Sequence, residues 1–441
     1  MEFPELSSRC PSIRISPEVD VPVTPRVKRL IDTAAFRRLS RVSQLGLVSI
    51  VYPGATHTRF EHSLGVYRNA VHFVQHLRSD PVFQQVIAPR DAETFIVAAL
   101  FHDLGHWPFC HAIEDLQIPG IPHHENIALP LLSEPPMAEL LEQDWNLTPV
   151  AIAKLLFLGN EHDSSQPAET ILRSLLSGPI DIDKLDYLER DSTHAGVPYG
   201  RNFDRNRLIR ALCIHPETLK LSIGDKGKTA AEMLVFARYI MFSEVYWHHA
   251  VRSATAMLQR TVYELFQHQR CDVSDVLRWA HATDHQVIEE LLSRSRDAIW
   301  ESCAAGIFGP IRNLYKRIAQ FDFLDEPLLH RSLSRRPYAE ITSLSRRLSQ
   351  RFASLLPIPV SEVDVLIDAP SQKLDVQFQM EVRLPHGAYR QLGDVSPMVQ
   401  ALATKQFDDI VKRVRIFANP TVAGAVRESG LDVRELVADI L

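Results

Sequence analysis

Apolar residues recur at helical spacing through most of this chain, and that periodicity confines it to a mostly α architecture. Val27, Leu30, Ile31, Ala34, Leu39, Val42 and Leu45 follow Thr24 at such intervals, Pro25 suits a first helical position, and Gly46 ends the run. Further helices are expected over 61–77, 91–104, 149–158, 168–176 and 181–190, with longer patterns over 230–265, 273–293 and 335–354. Pro108 fits the first turn of another, whereas the prolines between Pro119 and Pro136 predict a loop. After Pro357 the period falls to two, through Val363, Val365 and Ile367 and then Leu374, Val376, Phe378, Met380, Val382 and Leu384. Two antiparallel strands are expected there. A helix near 395–409, a strand at 413–417 and a helix after Pro420 complete a small α+β unit. The chain thus divides into an extended Pro- and Ser-rich arm (1–24), a helical domain (25–355) and a C-terminal α+β unit (356–441).

Apolar residues are 45% of the chain and charged residues 23%, the balance of a soluble enzyme or binding protein. A formal charge of -6 gives no global attraction to polyanions, so single-stranded or duplex nucleic acid would need a local basic groove. A small anion held by a metal is compatible with it. Cys10, Cys110, Cys213, Cys271 and Cys303 are scattered and odd in number, which argues against a disulfide framework and for a reducing compartment. With no signal-like apolar segment and no long uninterrupted apolar run, the expectation is a cytoplasmic protein without membrane association.

His102 and Asp103 stand side by side where a strongly apolar helix is about to break. Adjacent helical side chains diverge by about 100°, so both cannot belong to one core-facing stripe. TRFEHSLG places His62 inside another apolar helix, HDLGHWPFCH adds His106 and His111, and IPHHEN adds His123 and His124. Any one such histidine is more often structural than a ligand. Together, imidazoles and carboxylates suit one divalent transition ion such as manganese, iron, nickel, cobalt or zinc, whereas an all-oxygen set would suit magnesium or calcium. The segment GPIDIDKLDYLERD supplies further carboxylates, with Asp183, Tyr187 and Asp191 in a row at four-residue spacing. Asp186 and Arg190 pair in the manner of a solvated helix face. Arg238, Phe242, Tyr246 and His249 or Ala250 form another four-residue row, which would put Arg238 and Tyr246 on one face.

VYPGATHTRFEHSLGV, AALFHDLGHWPFCHAIED, IPHHEN and DIDKLDYLERD resemble, in order and spacing, the HD phosphohydrolases, in the branch containing the SAM- and HD-domain deoxynucleotide triphosphohydrolase. The resemblance implies an HD-domain helical core whose metal ligands are His62, His102, Asp103 and Asp183. It implies that His106, His111 and His124 lie near the scissile phosphate, with His111 as general acid and Glu114 orienting it. Arg59, Lys184 and Arg238 match phosphate-binding positions, the arginines as planar forks and the lysine as a point charge. Gln44, Tyr187 and Asp191 match positions that hold the sugar 3'-hydroxyl, while Leu45 and Tyr246 match positions that pack on the sugar. The implied partners are a nucleotide substrate, magnesium on its phosphates, and further copies of the chain in a homo-oligomer.

Two departures bear on the substrate. Phe242 stands where the animal enzyme has a histidine near the phosphates, and SIRISPEVDVPVTP stands where relatives often carry an Asp-Pro-apolar-His-Gly turn. The expected activity is hydrolysis of deoxynucleoside triphosphates to deoxynucleoside and triphosphate. One alternative is a phosphatase or phosphodiesterase acting on nucleoside monophosphates, modified nucleotides or single-stranded DNA. The other is a non-catalytic nucleotide- or nucleic-acid-binding oligomeric sensor, motivated by a C-terminal third in which no chemistry is legible.

Overall fold

The computed structural model describes residues 3–7, 10–156, 166–370, 379–404 and 411–441. The fold is mostly α, as expected, and forms two compact units that exchange segments along the chain. The first comprises Met1–Trp107, Pro122–Met241 and Val376–Thr404; the second comprises Pro108–Ile121, Phe242–Asp375 and Lys405–Leu441. The division therefore does not fall at residue 355. The helices after Phe242 share a core with the C-terminal strands, and linear periodicity carries no signal of that pairing.

In the first unit the Arg59–Leu77 helix packs against both Pro89–Phe101 and Ile182–Ala195. It is buried on nearly every side, which is why polar His62 and Asn69 sit within an apolar helix. Pro89–Phe101 starts with Pro89 at its first turn and Asp91 accepting from the Ala88 amide at 2.9 Å. It ends at His102, so the His-Asp pair lies in the turn that follows. Ile182–Ala195 is capped by Asp181, which accepts from the Lys184 amide at 2.7 Å, and stops at Gly196 in the left-handed region.

Several expected elements are divided differently. The run from Thr24 to Gly46 is two helices, Pro25–Ile31 and Ala34–Arg38, followed by a 3-10 turn at Leu39–Arg41. At the break the Thr33 hydroxyl donates to the Leu30 carbonyl at 2.8 Å, a local bond that competes with the helix ladder. The expected loop over 119–136 contains a helix, His124–Ser133, with Pro130 inside it. Burial of Ile127, Ala128, Leu131 and Leu132 outweighs the proline's lost hydrogen bond. The arm is not simply extended: Ser12–Ile15 pairs with Val19–Pro22 in an antiparallel hairpin that buries Val21. Leu212–Ile214, Leu221–Gly224, Glu381–Arg383 and Tyr389–Gln391 form a four-stranded sheet in chain order, parallel only between its two middle strands.

In the second unit Val414–Ala418 is the central strand, antiparallel to Lys316–Phe321 on one side and Val365–Asp368 on the other. All five of its residues are buried, and the core around it includes Phe321, Leu344, Leu348, Phe352, Val365 and Ile367. Among the described residues, the two strands expected between Pro357 and Leu384 thus do not pair with each other. Val365–Asp368 joins this sheet and Glu381–Arg383 the other, while residues 371–378, which include Leu374, Val376 and Phe378, lie outside the described residues. The helix expected near 395–409 is described over Pro397–Thr404. The pattern over 273–293 is two capped helices, Val273–Trp279 and Asp284–Ser295. The pattern over 230–265 resolves into Lys228–Ile240, a π-helical turn at Met241–Tyr246 and His249–Gln267. A π turn takes more residues than an α turn, so the four-residue row from Arg238 to Tyr246 loses its register. Among the described residues no helix is long and apolar enough to cross a membrane.

Candidate metal centre

Three helices of the first unit bring together the four side chains expected to hold a metal. His62 Nε2 lies 3.1 Å from His102 Nε2 and 3.1 Å from Asp183 Oδ1. Asp103 presents Oδ1 at 3.4 Å from His102 Nε2 and Oδ2 at 3.8 Å from His62 Nε2, and Asp183 Oδ1 is 3.9 Å from His102 Nε2. Donor atoms about 3–4 Å apart are what ligands with bonds of about 2.0–2.2 Å around one ion require.

The tautomers sharpen the fit. His62 Nδ1 is 2.9 Å from Asp186 Oδ2, and His102 Nδ1 is 2.9 Å from the Ala99 carbonyl. Ionised carboxylate and carbonyl oxygens only accept, so each Nδ1 carries the proton. With Nδ1 committed in this way, each ring directs Nε2 toward the same point, where a cation could take its lone pair. Burial opposes a second proton on His62, yet its hydrogen bonds to Asp183 and Asp186 outweigh burial and raise its pKa to about 10, so a metal at Nε2 would take the place of that proton. Burial likewise opposes ionisation of Asp103, but His106, His102, Arg59 and His62 hold it well below the usual carboxylate range. Asp103 and Asp183 thus present anionic oxygens beside the two Nε2 atoms. Two imidazoles and two carboxylates fit a divalent transition ion.

Around these ligands the side chains are fixed in turn. Arg190 grips Asp186 through Nε and Nη2, both at 2.8 Å, so the pair is buried and not the solvated one that its spacing suggested. A Cβ built on Gly65 would overlap the Asp186 carboxylate and the Arg190 guanidinium, so glycine at this position lets the two helices approach. Gly105 does the same for the turn after Asp103, where a Cβ would meet the His124 carbonyl. Arg38 donates to the carbonyls of Leu104 and His106 at 2.7 and 2.8 Å and so pins that turn. Asp186, Arg190 and Arg38 were not singled out from the sequence. An i, i+4 pair was visible for the first two, but the same spacing serves surface and core alike.

The other expected residues are placed as follows. His106 is buried, with Nδ1 3.2 Å from Asp103 Oδ1 and its ring 3.8 Å from that of His124. Arg59 donates to Asp103 Oδ2 at 2.7 Å, and Lys184 Nζ pairs with Asp181 at 2.6 Å, so two of the three expected phosphate cations are already engaged with carboxylates. Asp191 Oδ1 is 2.8 Å from His57 Nε2, a buried histidine that sequence reasoning passed over. The Gln44 backbone N–H donates to the His57 carbonyl at 3.0 Å, and Leu45 follows it at the start of a 3-10 turn, Gly46–Ile50. Burial pushes the Tyr187 hydroxyl up; the charge of Arg238 opposes this and those of Asp183, Asp181 and Asp191 reinforce it, so all of these act on one phenol. His111 and Glu114 lie on the Cys110–Glu114 helix of the second unit, 3.7 Å apart and beyond hydrogen-bond reach. Tyr246, also in the second unit, meets Phe242 edge to face at 5.1 Å.

Comparison with known proteins identifies the family. Residues 59–147 match the model of the HD domain and residues 203–438 that of the HD associated region, the latter alone more than half of the chain. The chain belongs to the HD-domain phosphohydrolase superfamily. It is 29% identical over 394 residues to an uncharacterized protein of Methanocaldococcus jannaschii, covering 88% of this chain and 75% of that one. It is 33% identical over 216 residues to the deoxynucleoside triphosphate triphosphohydrolase SAMHD1 of Gallus gallus, covering 43% of this chain and 34% of that enzyme. A crystal structure of a phosphohydrolase from Bacteroides thetaiotaomicron superposes with a TM-score of 0.69 at 25% identity, over 93% of this chain and all of that one.

Proposed function

We propose that this protein hydrolyses deoxynucleoside triphosphates to deoxynucleoside and triphosphate at a single divalent transition metal held by His62, His102, Asp103 and Asp183. The observation that carries the metal reading is the pair of Nε2 atoms 3.1 Å apart beside two carboxylates. The substrate reading is supported by the likeness to SAMHD1 over 216 residues and by the matches at Gln44, Lys184, Tyr187 and Asp191.

A bound ion would supply Lewis acidity and a water of lowered pKa. The protein's own groups do the rest. Asp186 and Ala99 fix the histidine rings, and Arg59 holds Asp103 ionised and in place. His106, beside Asp103, meets the tilted ring of His124, and an imidazole here could hold or give a proton to the departing oxygen. Assignment of the general acid to His111, with Glu114, rests on the family resemblance. Lys184, Arg59 and Arg238 would exchange carboxylate or buried surroundings for phosphate oxygens, and Asp191 and Gln44 would hold the sugar hydroxyl with Tyr187. The assignment of Leu45 and Tyr246 to the sugar rests on the family resemblance.

The second reading, another phosphoester of a nucleotide or of single-stranded DNA, is favoured by one observation. Phe242, whose ring meets that of Tyr246, is apolar where the family resemblance implies a histidine near the phosphates. Incubating the protein with each dNTP and Mn2+ and separating products by ion exchange distinguishes the two. Deoxynucleoside with tripolyphosphate is expected, whereas turnover of monophosphates or oligonucleotides alone would establish the second.

A further inference from the structure

The N-terminal hairpin has no part in the chemistry above, yet its tip lies on the outer layer of the metal centre. Ser16 donates its amide to Glu61 Oε1 at 3.1 Å, and its carbonyl accepts from Arg190 Nη1 at 2.5 Å. The same Nη1 is 3.0 Å from Glu61 Oε1. Arg190 spends its other two nitrogens on Asp186, which holds Nδ1 of His62. A second tie fastens the hairpin to the same helix, from Arg68 Nε to the Asp20 carbonyl at 3.1 Å.

A buried guanidinium offers donors on three sides, and each side left without an acceptor costs free energy. Asp186 satisfies two sides of Arg190. The third is satisfied by the hairpin carbonyl together with Glu61, whose own carboxylate is in turn held by the hairpin amide. With acceptors on every side, Arg190 has one orientation, and so has the carboxylate that orients His62.

We infer that the hairpin tip, through Ser16, Glu61, Arg190 and Asp186, is part of the scaffold that aims His62, so that hairpin docking and metal binding are thermodynamically coupled. Glu61 and Arg190 are positioning residues in this scheme. The inference rests on the reading of His62 as a metal ligand. Coupling of this kind is reciprocal: if docking tightens metal binding, metal must tighten docking by the same factor.

The test uses the full-length, metal-stripped protein, titrated with Mn2+ by calorimetry and followed by hydrogen-deuterium exchange in peptides covering residues 12–22. In the wild type, Mn2+ should slow exchange in the hairpin. Glu61→Ala should weaken Mn2+ binding about three- to tenfold, somewhat less than the 10–100-fold typical of groups touching a ligand directly, and should abolish the metal-dependent protection. Glu61→Gln, which keeps an acceptor oxygen for both Ser16 and Arg190, should retain most of each effect. A merely structural role would lower thermal stability without making hairpin exchange depend on metal. Mn2+ binding to the wild type with hairpin exchange unchanged, or Glu61→Ala binding Mn2+ as tightly as wild type, would overturn the coupling alone. No Mn2+ binding by the wild type would overturn the metal reading and the coupling with it. The wild-type comparison needs no substitution, so misfolding of a variant does not leave the question open.

Discussion

His62 and His102 aim the same atom at the same point but are tied differently, one to the buried Asp186 carboxylate and the other to a backbone carbonyl. An anionic partner makes an imidazole a stronger donor to a cation, so the two ligands are not equivalent. Asp186→Asn keeps the shape and removes the charge; Mn2+ affinity should fall about 10–100-fold by calorimetry, with circular dichroism unchanged. A different histidine governs stability. Burial, reinforced by Arg68 and Arg205, lowers the pKa of His72 to about 4. In the folded chain it stays neutral while the unfolded chain takes up a proton near pH 6.5, so stability is full above that pH and declines as pH falls toward 4. The contribution at pH 5 is on the order of 1–2 kcal/mol. Urea midpoints of His72→Leu and wild type, measured at pH 7.5 and 5, should show a shallower pH dependence in the variant; parallel slopes would refute the assignment.

The helices around the metal centre owe their geometry to close approaches at glycine. Gly65→Ala would push Asp186 and Arg190 away from the Arg59–Leu77 helix. The expected outcome is a loss of about 1–3 kcal/mol in unfolding free energy together with weakened Mn2+ binding, because the same movement releases His62. In the second unit, Ile416→Ala on the fully buried central strand should cost about 2–5 kcal/mol in a denaturant titration. These elements were unequally legible in the sequence. His62, His102 and Asp103 stood out because polar side chains interrupt or end apolar helices, and Asp183 came in through the family resemblance; the structure brings the four together. The π turn before Trp247 left no trace, since its residues have ordinary helical propensities. Pro130 marked a loop where tertiary burial keeps a helix, and the hairpin at Ser12–Pro22 was hidden because turn residues in an arm look alike whether or not they pair. Asp186 with Arg190 looked like surface charge, because spacing reveals a partner but not the depth at which the pair sits.

At the scale of the molecule, the segments that the chain exchanges between its units explain why a linear domain boundary failed, and the superfamily assignment rests on models matching both parts of the chain. The central claim is that hydrolysis of a nucleotide phosphoester requires one divalent ion on His62, His102, Asp103 and Asp183. The direct measurement is turnover of dNTPs, nucleoside monophosphates and single-stranded DNA by wild type and Asp183→Ala, each metal-stripped and then reloaded with Mn2+, Fe2+, Co2+, Ni2+ or Zn2+. The account predicts triphosphate release from dNTPs by reloaded wild type, none by stripped protein, and at least a hundredfold loss, about 2.7 kcal/mol of barrier, in the folded variant. Phosphoester turnover that survives stripping, or that is equal in Asp183→Ala, would contradict it.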